Sequence, residues 1–156
     1  MIFCNTTPFI ALAGIARLEL LPSLFGNIHV VPSVIAECAA GGTIQVPDLS
    51  RLSWVQVVPA ADPTLPGLLL SLDRGERDTL ATARQMGARR VIIDERIGRN
   101  MAELLGLSVV GTLGVLLKAK EQGMISSFSG AVDSMRTNGI FYHSALVARL
   151  TKLAGE

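Results

Sequence analysis

Four polar residues, Asn5, Glu37, Glu76 and Asp94, are the ones whose types and placement could carry chemistry. Asn5 follows the apolar run Ile2 to Cys4, Glu37 lies one helix beyond a second such run, Glu76 opens a helix, and Asp94 ends the β-branched run that this helix feeds. Oxygen donors without histidine or thiolate partners suit a hard divalent cation, Mg2+ or Mn2+, which keeps several of its waters. Such an ion lowers the pKa of a bound water and neutralises phosphodiester charge, so the matching reaction is hydrolysis of a nucleic-acid backbone. Carboxylates without a metal would repel that substrate.

The elements that must position these groups centre on Arg90 to Lys120. Val91 to Ile93 reads as a strand ending on Asp94-Glu95, a helical pattern follows to Gly106, Leu107 to Val110 reads as a second strand, and Gly111-Thr112 opens another helix. Strand, helix, strand, helix demands crossover connections and a parallel sheet, whose ligands collect outside the carboxyl ends of the strands, where Asp94 sits. Upstream, Ile2 to Cys4 predicts a buried strand, with Thr-Pro starting a helix through Leu12. A helical piece from Leu18 to Leu24 follows, then strand Ile28 to Val31, and Pro32 starts the helix carrying Glu37. Val55 to Val58 predicts a strand near a sheet edge, Leu65 to Leu72 a short apolar helix, and Asp73 to Glu76 the start of a helix ending at Gln85 or Met86. Phe128 to Met135 and Ala145 to Leu153 predict two terminal helices. If the first strand and the Asp94 strand are neighbours where the strand order reverses, the four polar side chains share one mouth.

With 156 residues, 49% of them hydrophobic, the chain supports one core and a single domain, 1–156. No apolar run reaches the ~18 residues of a membrane span, and the start lacks a basic leader, so a cytoplasmic protein with no membrane partner is expected. Cys4 and Cys38 are too few for a disulfide scaffold and match no zinc spacing, so both are expected reduced and packed. A net charge of +1 leaves any nucleic-acid partner to a local basic patch, and seven arginines fall between Arg74 and Arg99. Of these, Arg96 and Arg99, just past Asp94, are best placed to meet a phosphate. Gly111-Thr112-Leu113-Gly114 lacks the lysine cradle of a nucleotide-binding loop and reads as a turn with Thr112 as N-cap. One Trp and one Tyr make no stacking platform, so RNA selectivity would come from shape and groove charge.

Each candidate also has a structural reading. Asp73 and Glu76 form a capping box, Asp94 could cap the next helix, Glu37 could be an exposed helix acid, and Asn5 could simply turn the chain.

At these positions the chain resembles the PIN-domain ribonucleases, which include the VapC-type toxins of bacterial toxin-antitoxin pairs. The resemblance is carried by N-T-T-P-F-I-A-L-A at Asn5, V-P-S-V-I-A-E at Glu37, L-D-R-G-E-R-D-T-L-A-T-A at Glu76, and V-I-I-D-E-R-I-G-R and V-V-G-T-L-G-V-L-L-K-A-K from Asp94 onward. The last blocks are similar to a prokaryotic PIN-like subgroup that often reads GExEA, DDxxGR and GTLG. The resemblance implies a three-layer α/β/α domain around a parallel sheet of about five strands. It also implies one or two Mg2+ or Mn2+ ions held by Asn5, Glu37, Glu76 and Asp94, with Asp78 and Glu95 as supporting or alternative ligands. Thr6 or Thr112 would position a water. The family's first acid is normally Asp; Asn5 removes a full charge where the Coulomb term is strongest, so weakened metal affinity is expected. The function implied is an endoribonuclease, the toxin of a pair with a small antitoxin protein; the alternative is a catalytically inactive module that binds RNA or a protein partner. A homodimer through Leu146, Val147, Leu150 and Leu153 is a further expectation, the alternative being that these residues belong to the core.

Overall fold

The computed structural model describes residues 1–62 and 67–156, and for Leu68 the backbone alone. Five three-residue strands, β1 (Ile2–Cys4), β2 (Ile28–Val30), β3 (Val55–Val57), β4 (Arg90–Ile92) and β5 (Ser108–Val110), form one all-parallel sheet in the order β3-β2-β1-β4-β5. The order reverses between β1 and β4, which pair in register at Ile2 with Arg90, Phe3 with Val91 and Cys4 with Ile92. The first strand and the Asp94 strand are therefore neighbours at the switch point, which meets the condition that the sequence left open. β1 is buried at every residue, as a central parallel strand covered on both faces must be. β3, which keeps two residues exposed, lies at an edge.

The sheet is flanked by helices in α/β/α layers: α1 (Thr6–Gly14), α2 (Leu20–Phe25), α3 (Pro32–Ala39), α4 (Arg74–Gln85), α5 (Arg96–Leu104), α6 (Thr112–Glu121), α7 (Phe128–Thr137) and α8 (Ser144–Leu153). α4 packs against α3 and α5, α6 packs against α2, α7 and α8, and α1 touches members of both groups. Local chemistry sets the boundaries. Pro32 occupies the first turn of α3, where its missing N–H costs nothing. The Asp73 carboxylate accepts from the Glu76 amide at 2.8 Å to start α4, and Gly87 (φ +64°) ends it in a left-handed conformation that a Cβ would resist. The expected helix from Leu65 to Leu72 is a 3-10 segment at Gly67–Ser71, its residues 65 and 66 lying outside the described set. A run that short gains more from tight i→i+3 turns than from an α-helix it cannot complete. Phe3, Phe9, Phe128, Leu12, Leu80 and Ile92 are among the fully buried side chains of the core. Among the described residues no helix is long and apolar enough to cross a membrane.

The C-terminal end of the chain is tied down by charge as well as by the packing of Val147, Leu150 and Ala154 against the core. α8 buries no residue completely, and Leu153 is 67% exposed. The Glu156 carboxylate accepts from Ser127 Oγ at 2.8 Å, Ser129 Oγ at 2.6 Å and the Phe128 amide at 2.5 Å, and Lys120 Nζ lies 3.6 Å away. It thereby caps the start of α7, and these donors, the Ser129 hydroxyl foremost, hold its acid at about 2. A carboxyl whose folded pKa is depressed stabilises above its unfolded value of 4.5 and stops doing so as pH falls through about 2. Glu156→Gln is therefore expected to lower the melting temperature at pH 7, with the deficit shrinking towards pH 2 in calorimetry. An equal deficit at both pH values would mean that charge does not hold the clasp.

Candidate metal centre

Asn5 directly follows β1, its amide donating to the Ile92 carbonyl at 2.9 Å across to β4. The side chain is 2% exposed, and its Oδ1 is buried with no hydrogen-bond partner among the described residues. Next to it, Thr6 donates its hydroxyl to Glu37 Oε2, while Glu37 Oε1 accepts from the Gly75 amide at 2.9 Å. That second bond requires glycine: a Cβ at position 75 would lie 2.7 Å from Glu37 Oε1. Contacts thus run from Asn5-Thr6 through Glu37 to Gly75-Glu76, joining β1, α3 and the first turn of α4.

Glu76 is the most perturbed acid of the group. It is 5% exposed, and its Oε1 is buried without a partner. Desolvation and the negative charges of Asp73, Glu95 and Glu37 push its carboxyl up to about 7, against partial relief from the Asp73 amide. The expected capping box thus exists at Asp73, yet it leaves one Glu76 oxygen facing into the site. Gly98 in α5 makes room for it, since a Cβ there would lie 3.1 Å from Glu76 Oε1 and 2.6 Å from Ile93 Cδ1.

Asp94 follows β4 at the switch point, but its carboxylate is turned to α6. Oδ1 accepts from the Thr112 amide at 2.6 Å, and Oδ2 accepts from the Thr112 hydroxyl at 2.7 Å and the Tyr142 hydroxyl at 3.1 Å. Two sequence expectations are corrected here. Thr112 is the first residue of α6 rather than its N-cap, and Asp94 satisfies the orphan amide of α6 instead of capping α5. Burial and the neighbouring Asp94 charge raise the Tyr142 phenol, which stays a neutral donor.

The remaining candidates divide. Glu95 is exposed but close enough to act on Glu76, whereas Asp78 faces along α4 and pairs with Arg74 at 3.7 Å. Cys4 and Cys38 are buried free thiols; burial, reinforced by nearby Asp94 for Cys4 and Glu37 for Cys38, raises both, Cys38 to about 12, so neither is a thiolate nucleophile. Sequence reasoning missed Tyr142, Gly75, Gly98 and Gly111. Tyr142 lies 48 residues from Asp94 with no periodicity to link them.

Thr6, Glu37 and Gly75 are thus linked by hydrogen bonds, with Asn5 and Glu76 their chain neighbours, while Asp94 lies on the neighbouring strand end but is engaged with α6. Among the described residues no group of three or more His, Cys, Asp or Glu side chains is disposed to hold a metal ion. The donor chemistry nevertheless fits a hard cation: every candidate ligand is an oxygen, and two buried oxygens, Asn5 Oδ1 and Glu76 Oε1, have no hydrogen-bond partner among the described residues.

Residues 1–156 match the family model described as DUF3368: PIN domain. No curated protein matches the chain in sequence. The fold is similar to that of a PilT N-terminus domain protein from the hyperthermophilic archaeon Sulfolobus solfataricus P2, with a TM-score of 0.56 and 17% identity over 76% of this chain and 93% of that one.

Proposed function

The chain belongs to the PIN-domain family, whose members are typically nucleases and generally use divalent metals, and from that premise we propose that it is a Mg2+- or Mn2+-dependent endoribonuclease. The observation that carries the reading is the pair of partnerless buried oxygens, Asn5 Oδ1 and Glu76 Oε1, set beside the Thr6-oriented carboxylate of Glu37. Leaving such acceptors unpaired costs about 1–3 kcal/mol each, which a bound cation would relieve. Asn5, Glu37, Glu76 and, on turning from Tyr142, Asp94 would hold it. When bound, the ion would lower the pKa of a water and neutralise charge on the phosphodiester. Thr6 and the Gly75 amide fix Glu37, Thr112 fixes Asp94, and Gly98 leaves room for the Glu76 oxygen. Asn5 supplies a neutral ligand, so affinity is lower than an aspartate would give.

Asp94→Asn is expected to cut Mn2+-dependent cleavage of single-stranded RNA roughly 10- to 100-fold. Cleavage that persists in EDTA, or that survives this change intact, would contradict the reading. A second reading, a catalytically inactive module that binds RNA or a protein partner, is favoured by one observation: both oxygens of Glu37 and both of Asp94 already serve internal hydrogen bonds. It predicts binding without divalent ions and no cleavage at any Mn2+ concentration.

A further inference from the structure

Beside Asp94, between the carboxyl end of the edge strand β5, α5, α6 and α8, opens a cleft of about 850 Å³. Four permanent cations line it, Arg90, Arg96, Arg99 and Lys118, against the acids Asp94 and Glu103. Arg99 is the cation placed beside Asp94. It lies one turn into α5, is half-buried, and makes no ion pair among the described residues. A Cβ built at Gly111 would lie 2.5 Å from Arg99 Nη1 and 3.2 Å from Asp94 Oδ1, so the glycine leaves the guanidinium its present place beside the carboxylate, and a side chain there would displace the Arg99 tip. Asp94 makes no direct ion pair with Arg99, its oxygens accepting instead from Thr112 and Tyr142. A half-buried guanidinium with an open cleft before it presents a planar fork of donors suited to two oxygens of one phosphate.

We infer that Arg99 grips the non-bridging oxygens of an RNA phosphodiester beside Asp94, and that Gly111 is the residue that positions it there. The inference rests on the nuclease reading for where cleavage falls, and not for whether the phosphate binds. Arg96 and Lys118 extend the positive lining and would receive flanking phosphates. Contacts of this kind position a strand without reading its sequence.

The test is fluorescence anisotropy of a labelled single-stranded RNA 12-mer with the full chain in EDTA, across a salt series, run alongside a separate Mn2+ cleavage assay. Arg99→Gln is expected to weaken binding about tenfold and to lower the slope of log affinity against log salt by about one unit. Arg99→Lys should recover part of the affinity, and Gly111→Ala should weaken binding several-fold although every charge is retained. Arg84→Gln, an exposed arginine at the far end of α4, should leave binding within twofold of the parent. Melting curves identify any variant that has lost its fold, and if Arg99→Gln has, Gly111→Ala decides instead: parent-like RNA binding by its folded form overturns the inference. Parent-like RNA binding by a folded Arg99→Gln, no RNA binding by the parent, or equal losses for Arg84→Gln and Arg99→Gln would overturn the inference. If the Arg99 losses appear while the parent cleaves nothing with Mn2+, the phosphate grip stands and the nuclease reading falls.

Discussion

Glu76→Gln is expected to make the metal-free protein more stable at pH 8 and to abolish its stabilisation by Mn2+. The sign follows from the carboxyl, whose folded pKa of about 7 lies above the 4.5 of the unfolded chain. Between those values the folded state binds more protons than the unfolded state, so this group's contribution to stability falls as pH rises from 4.5 to 7 and is constant above. The shift corresponds to a charge penalty on the order of 3 kcal/mol at pH 8. A glutamine removes it but leaves an amide imperfectly paired at a cost of about 1–2 kcal/mol, so the net gain is about 1–2 kcal/mol at pH 8 and turns into a deficit of about 1 kcal/mol near pH 4.5. Saturating Mn2+ reverses the order, because a ligand at a hundred times its Kd stabilises the parent by about 2.7 kcal/mol and the variant by nothing. Urea unfolding in EDTA and in Mn2+, at pH 8 and pH 4.5, reads all four conditions. A gain for the variant that is unchanged at pH 4.5 would show that charge at Glu76 is not its source.

Asn5→Asp should move the protein in the opposite direction on both counts. A carboxylate placed at a position 2% exposed, with Glu37 and Glu76 in the adjoining cluster, has no cation to balance it in EDTA. The metal-free protein should lose about 2–4 kcal/mol, the scale of an uncompensated buried charge. With Mn2+ the added charge sits at the shortest range in the site, and affinity measured by calorimetry should rise at least about tenfold. RNA cleavage should rise with it. Unchanged affinity in a folded Asn5→Asp protein would mean that the first position does not ligate, and that the missing charge is not what weakens the site.

Much of the scaffold was legible in the chain because each device is local. Pro32 marks the start of α3, Asp73 the cap of α4, and the β-branched runs at Val91 and Val109 mark strands that need crossovers. Parallel pairing of β1 with β4 then follows from topology, and it puts Asn5 and Asp94 on neighbouring strand ends. The direction of a side chain is not local. Asp94 turns to Thr112, 18 residues away, because β4 and β5 pair in register and bring the start of α6 alongside, and no spacing rule in the chain encodes that. The same holds for Tyr142, which reaches Asp94 from the segment between α7 and α8. Gly111 was readable as opening a helix, whereas Gly75 and Gly98 carried no signal of their own. The actual role of all three is to leave space for Glu37, Glu76 and Arg99, which depends on helix contacts formed only in the folded chain. The run at Leu65 to Leu72 was readable as apolar but too short to separate an α-helix from the 3-10 segment found at Gly67–Ser71.

The most direct measurement is anomalous diffraction from a crystal soaked in Mn2+. A single strong peak at coordination distance, about 2.1 Å, from both Asn5 Oδ1 and Glu76 Oε1, absent from Glu76→Gln crystals, is the predicted result. Mn2+ bound only at surface carboxylates such as Glu103 or Asp133, with Asn5 and Glu76 bare, would contradict it.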